Sequence, residues 1–188
     1  MRGWRGRMKG HSGFTAIELL VAIAIIGLMA AIAIPTYSVL LPRYRLKSAA
    51  MDLYSNMQSA KMLSIRSNCN ITVFFDTANN LYRIGRADGI LDATVDRTVR
   101  FSEYGSGIRY GCGSAVNDWS GNAITETDRV TYNGPPANQV TFTARGMPTP
   151  VGTAGTVYID NGRNNNAYAV DSLANGFVRL RAWDGTAW

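Results

Sequence analysis

Apolar residues crowd one end of this chain. Residues 14–34 form a run in which only Thr15 and Glu18 are clearly polar, and residues 1–13 ahead of it are basic and glycine-rich. Twenty-one residues make about 31 Å of helix at 1.5 Å per residue, enough to cross a hydrocarbon core. Pro35 and Pro42 then interrupt, which predicts a helix that bends or loosens there. Beyond Pro42 the pattern turns amphipathic. Leu46, Ala50, Leu53, Met57, Ala60 and Ser64 recur every three or four positions, with Lys47, Asp52, Ser55 and Lys61 elsewhere on the wheel. The spacing predicts a helix over about 43–66, ended by Ser67-Asn68.

After residue 70 the period shortens to that of strands. Alternating or β-rich runs at 71–76, 81–86, 98–102, 139–145, 156–160, 167–171 and 177–183 are separated by turn-forming clusters at 77–80, 133–136 and 161–163. One long helix followed by some seven strands predicts an α+β domain whose antiparallel sheet covers the helix's apolar stripe. Residues 105–136, rich in Gly, Ser and Asn, are expected to form a long variable loop. No internal repeat is present.

Charge changes this picture little. The net charge is +6, but Arg2, Arg5, Arg7 and Lys9 precede the apolar run; from Phe14 onward 15 basic residues face 13 acidic ones. A basic leader suggests cytoplasmic retention of that end and not a nucleic-acid-binding protein. Arg43, Arg45 and Lys47 close behind the run weaken the orientation argument. The two cysteines, Cys69 and Cys112, permit one disulfide in an oxidising compartment, worth about 2–4 kcal/mol. Two buried free thiols fit the same spacing, which leaves both open.

Catalytic chemistry finds little footing. His11, the one histidine, lies in the leader, so its removal would leave no imidazole for a triad or a metal. The cysteine spacing is not a zinc pattern. Gly105-Ser106-Gly107 and Gly111-Cys112-Gly113 lack the strand and helix that frame a phosphate loop. Asp160-Asn161-Gly162 with Asn164, Asn165 and Asn166 lacks the carboxylate spacing of a calcium loop and reads as a tight turn. No catalytic residue, cofactor or metal is expected.

Glu18 is the anomaly of the apolar run. A carboxylate at the centre of a lipid-embedded helix costs about 2.5–3.5 kcal/mol, so such groups normally have partners. The run offers no cation, which points to another copy of the chain. A cleavable secretory signal, cut near Ala31 and Ala33, and a plain anchor helix are the simpler alternatives. The length of the run, its acid and the sharp Gly13-Phe14 boundary count against them.

The segment Gly13-Phe14-Thr15-Ala16-Ile17-Glu18-Leu19-Leu20, followed by Pro35, resembles the processing site of type IV pilins and pseudopilins. That resemblance implies cleavage between Gly13 and Phe14 by a membrane prepilin peptidase and N-methylation of the new Phe14 amine. It also implies that Glu18 pairs with that amine on a neighbouring subunit during assembly. Ala16 departs from the larger aliphatic usual there. Residues 140–146, 155–159 and 176–181 are similar to the GspH/FimT branch of minor pilins and pseudopilins. The organisation implied is a leader over 1–13, a hydrophobic membrane and assembly helix over 14–41, and a periplasmic pilin-like domain over 42–188. The chain would sit single-pass in the inner membrane, in lipid, until an assembly platform extracts it. It would then join other subunits in a type II secretion pseudopilus or a type IV pilus.

Some pilus members of the branch bind DNA during uptake, which draws attention to Arg179, Arg181 and Trp183. In a strand these share one face and could grip phosphates and stack a base. The reading favoured here is a solvated strand face whose arginines meet Asp171 or Asp184, because the mature chain's small positive balance attracts DNA weakly.

Overall fold

Helix α1 spans Ala16–Ser67 and stays helical through both Pro35 and Pro42. The loosening expected at the prolines does not break it. Each proline costs about 3 kcal/mol in a helix interior, which the bonds of so long a helix outweigh. Around Pro35 the hydroxyls of Thr36 and Ser38 donate to the carbonyls of Ile32 and Pro35, at 3.1 and 2.8 Å. The computed structural model describes residues 14–88, 96–125, 129–132, 137–149, 154–163 and 165–188. The expected leader over 1–13, with Gly13 and His11, the turn cluster at 133–136 and Asn164 lie outside the described residues.

The chain divides into two compact units, Met1–Leu40 and Leu41–Trp188. In the first, the described residues are helical from Ala16, and the large apolar side chains from Phe14 to Ile34 are exposed. An 18-residue window of α1 reaches a mean hydropathy of 2.8 with none of it buried, long and apolar enough to cross a membrane.

The second unit has the core. Nine strands follow the helix among the described residues: β1 (Ile71–Asp76), β2 (Leu81–Arg86), β3 (Arg97–Arg100), β4 (Arg109–Tyr110), β5 (Gln139–Phe142), β6 (Pro148–Thr149), β7 (Gly155–Asp160), β8 (Ala167–Ser172) and β9 (Val178–Trp183). They form two antiparallel sheets, ordered β3-β2-β1-β5-β6 and β4-β7-β8-β9. Leu46, Ala50, Leu53, Met57, Ala60 and Ser64 are all buried, as the helical period predicts, and Ala49 and Asn56 join them. Against this stripe pack Ile71, Val73 and Phe75, the inward alternation of β1, and Val157 and Ile159 of β7. Full burial of each Leu- or Ile-sized side chain contributes about 1.5–3 kcal/mol.

Helix α1 closes on Asn68, whose φ of 51° is left-handed, while the Cys69 amide donates back to the Ser64 carbonyl at 3.2 Å. This is the exit that Asn and Gly favour. The β8–β9 hairpin turns on Gly176, φ 79°, where an added Cβ would also collide with the Gly146 carbonyl oxygen.

Several expectations need adjustment. The run at 98–102 is a strand only to Arg100, and Phe101–Tyr104 form a 3-10 turn that buries Phe101. The run at 139–145 stops at Phe142 because the chain turns through Gly146, φ 73°, with Thr143 and Met147 bonded across the turn. The expected loop at 105–136 contains β4 and is tied to the second sheet by a bridge between Val130 and Val157. Tyr132, in the same stretch, is a core residue.

Candidate assembly site and head surface

At the start of α1, Thr15 precedes the first helical residue and Glu18 lies three positions on. The Thr15 amide and hydroxyl both donate to Glu18 Oε2 at 2.9 Å, and the Glu18 amide donates to Thr15 Oγ1 at 3.3 Å. This is a reciprocal capping box, which satisfies amides that a helix start leaves without partners. Glu18 thus has local hydrogen-bond partners in the single chain. The T-x-x-E spacing carries that signal in the sequence. Phe14, 90% exposed, lies just outside the cap.

The head places Arg179, Arg181 and Trp183 along β9 as the strand period demands. In register opposite them on β8 stand Asp171, Ala169 and Ala167. Arg179 donates to Asp171 Oδ2 from Nε at 3.0 Å and from Nη2 at 2.6 Å, and Arg181 Nε lies 3.9 Å from Asp171 Oδ1. The Asp171 side chain is 2% exposed, against 39% for Arg179 and 26% for Arg181. Both arginines therefore neutralise a buried carboxylate, the Asp171 alternative of the strand-face reading. Arg181 also lies over the Trp119 ring at 4.7 Å. Trp119 is part of this surface but comes from the loop, where no period marks it.

Cys69 and Cys112 are both half-buried. No disulfide joins the two in this structure. Cys69 leaves α1 with its sulfur 2.9 Å from the Ser67 hydroxyl, while Cys112 follows β4 in the other sheet. Asp160 holds the turn after β7. Its carboxylate accepts from Arg109 Nε, Gly113 N and Gly162 N at 3.0, 3.1 and 3.0 Å.

A polar network that no sequence spacing marks joins α1 to β2, β3 and the 3-10 turn after β3. Asn56 Nδ2 donates to the Tyr82 hydroxyl at 2.6 Å, Arg97 donates to Asn56 Oδ1 at 3.0 Å, and the Tyr104 hydroxyl donates to Asp52. Burial raises the Tyr82 phenol to about 12 despite the opposing Asn56 bond.

Comparison with known proteins bears on all of this. The crystal structure of the type IV minor pilin FimU of Pseudomonas aeruginosa covers 76% of this chain and 95% of its own, with TM-score 0.52 at 17% identity. The minor pseudopilin EpsH from the Type 2 Secretion System of Vibrio cholerae covers 73% and 97%, with TM-score 0.50 at 17% identity. These likenesses establish an α+β pilin fold. A fimbrial protein of Pseudomonas aeruginosa is 34% identical over 84 residues, which are 45% of this chain and 54% of the relative. The chain thus spans about half the length of the curated relatives it matches. The model of the prokaryotic N-terminal methylation motif matches residues 8–34, and that of type II transport protein GspH matches residues 49–176. With more than half its length matched by that model, the chain belongs to the GspH family, as a type IV pilin-like minor pilin or pseudopilin, a structural subunit and not an enzyme.

Proposed function

We propose that this chain is a minor subunit of a type II secretion pseudopilus or type IV pilus, matured by prepilin peptidase between Gly13 and Phe14 and N-methylated at Phe14. Residues 14–41 then anchor it in the inner membrane and later pack in the filament, and residues 42–188 form its periplasmic head. The observation that carries the reading is an unburied apolar helix holding one carboxylate at its first turn. In lipid the helix gains little by leaving for another apolar surface, so packing and polar pairing must favour the filament. Glu18 supplies the pairing, its partner being the Phe14 amine of the next subunit, brought by an assembly platform. The structural reading is preferred to DNA capture because Arg179 and Arg181 are engaged by Asp171.

The capping box makes the test specific. Glutamine serves in a capping box as glutamate does, so Glu18→Gln keeps the helix start and removes the charge. Leader cleavage and membrane insertion should proceed in Glu18→Gln, while recovery in sheared or pelleted filaments should fall about tenfold or more, since an unpaired buried charge costs about 3–5 kcal/mol. Normal incorporation of Glu18→Gln would sink the pairing role. Glu18→Ala loses charge and cap together and should be no better.

A further inference from the structure

Trp119, Trp183 and Trp188, all the tryptophans among the described residues, line one open groove on the head instead of the core. The groove has a volume of about 800 Å³, within the range of small-ligand sites. Trp183 and Trp188 meet at an angle, ring centroids 5.5 Å apart, and Trp188 leans on Tyr158 at 5.3 Å. Their N–H groups are already used: Trp183 Nε1 donates to Ser114 Oγ at 3.1 Å, and Trp188 Nε1 donates to the Asn117 carbonyl at 2.7 Å. The indoles are thereby fixed, and what they offer the groove is ring surface.

The charges in the groove select among ligands. Among the described residues its lining has one cationic side chain, Arg181, and one side-chain carboxylate, Asp118. Slight burial opposes the Asp118 charge, but bonds from Asn122, Ser120 and Gly121 outweigh it and hold the carboxyl below its usual range. Arg181 is turned to the Trp119 face and to Asp171. A polyanion binds by meeting several cations, and here it would meet one, with a carboxylate beside it. A cationic ligand seeks an aromatic face, but here it would meet the like charge of Arg181, which covers one face of Trp119 and leaves the other to a neutral ligand. A plain hydrocarbon would make no use of the Asn117 amide or of the lone pairs that the Asp118 carboxylate has beyond its bonds to Ser120 and Asn122. The ligand that fits is uncharged, with an apolar C–H face and a rim of hydroxyls.

We infer that the Trp119–Trp183–Trp188 groove binds neutral pyranose units of a polysaccharide, their C–H faces on the indoles and their hydroxyls toward Asn117 and Asp118. This site is independent of which filament owns the subunit. The test is calorimetric titration of the full chain, in a detergent without a sugar headgroup, with maltohexaose, cellohexaose and chitohexaose. At least one should bind saturably, with an affinity unchanged between about 50 and 200 mM salt, where a phosphate-dependent ligand would weaken steeply. Trp119→Ala should weaken binding about tenfold and Trp119→Phe should recover most of it; unchanged circular dichroism would show that both fold. Absence of saturable binding to all three sugars, or binding indifferent to Trp119→Ala, overturns the inference. So does salt-sensitive capture of oligothymidylate in place of the sugars.

Discussion

At the scale of single residues, the arginines of β9 show how a suggestive pattern is resolved by one neighbour. Arg179 and Arg181 stand two apart beside an aromatic, and Asp171, directly opposite Arg179, takes up both. Losing a buried partner outright costs about 3–5 kcal/mol, but both guanidiniums are partly solvated, so Asp171→Asn should destabilise the head by about 1–3 kcal/mol. A melting temperature lowered by several degrees in scanning calorimetry would bear this out; no change would mean the pair contributes nothing. Freed of Asp171, the arginines should also hold an oligonucleotide more tightly than in the parent chain, a salt-sensitive gain readable by gel shift. Glu18 has the complementary lesson. Its charge is legible in the sequence as an anomaly, and its bond to Thr15 is equally legible in the T-x-x-E spacing. The glutamate proposed as the assembly charge is also the one that closes the capping box.

At the scale of elements, α1 presents two unlike faces in the head. Leu53 is fully buried, while Met51, two positions away, is half exposed. Leu53→Ala should cost about 2–5 kcal/mol through lost burial and the cavity left behind. Met51→Ala should fall within about 0.5 kcal/mol of zero, and chemical denaturation of both variants checks the contrast. This helix and the longer strands were readable because their periods persist for several residues; all seven expected runs contain strand. β4 and β6, two residues each, have no period to read. The ends of β3 and β5 were misplaced because Phe101 and Gly146 obey tertiary demands: a buried ring on a tight turn, and a left-handed glycine beside Ile65. Trp119 is unmarked in the sequence for a similar reason, since its neighbours say nothing of β9.

At the scale of the whole molecule, buried phenols set the alkaline limit of the fold. Burial raises Tyr82 to about 12 and pushes Tyr104, Tyr110, Tyr132 and Tyr158 upward as well. An unfolded phenol ionises near pH 10, so the fold favours the neutral form. The resulting stability is complete below about pH 10 and is lost as pH climbs through about 12 and beyond. Tyrosinate absorbance from these side chains should therefore rise together with the loss of far-ultraviolet dichroism. Early, independent ionisation with dichroism intact would contradict it. The placement of the tryptophans gives the molecule a further property. Tyr82, Tyr110, Tyr132 and Tyr158 lie in the interior and the described indoles in one outer groove, so these two sets of chromophores watch largely different places. Indole emission should report what happens at the groove and, through Trp183 in β9 and Trp188 on Tyr158 of β7, the opening of the second sheet, so a melt followed by that signal alone would time the second sheet and not the first.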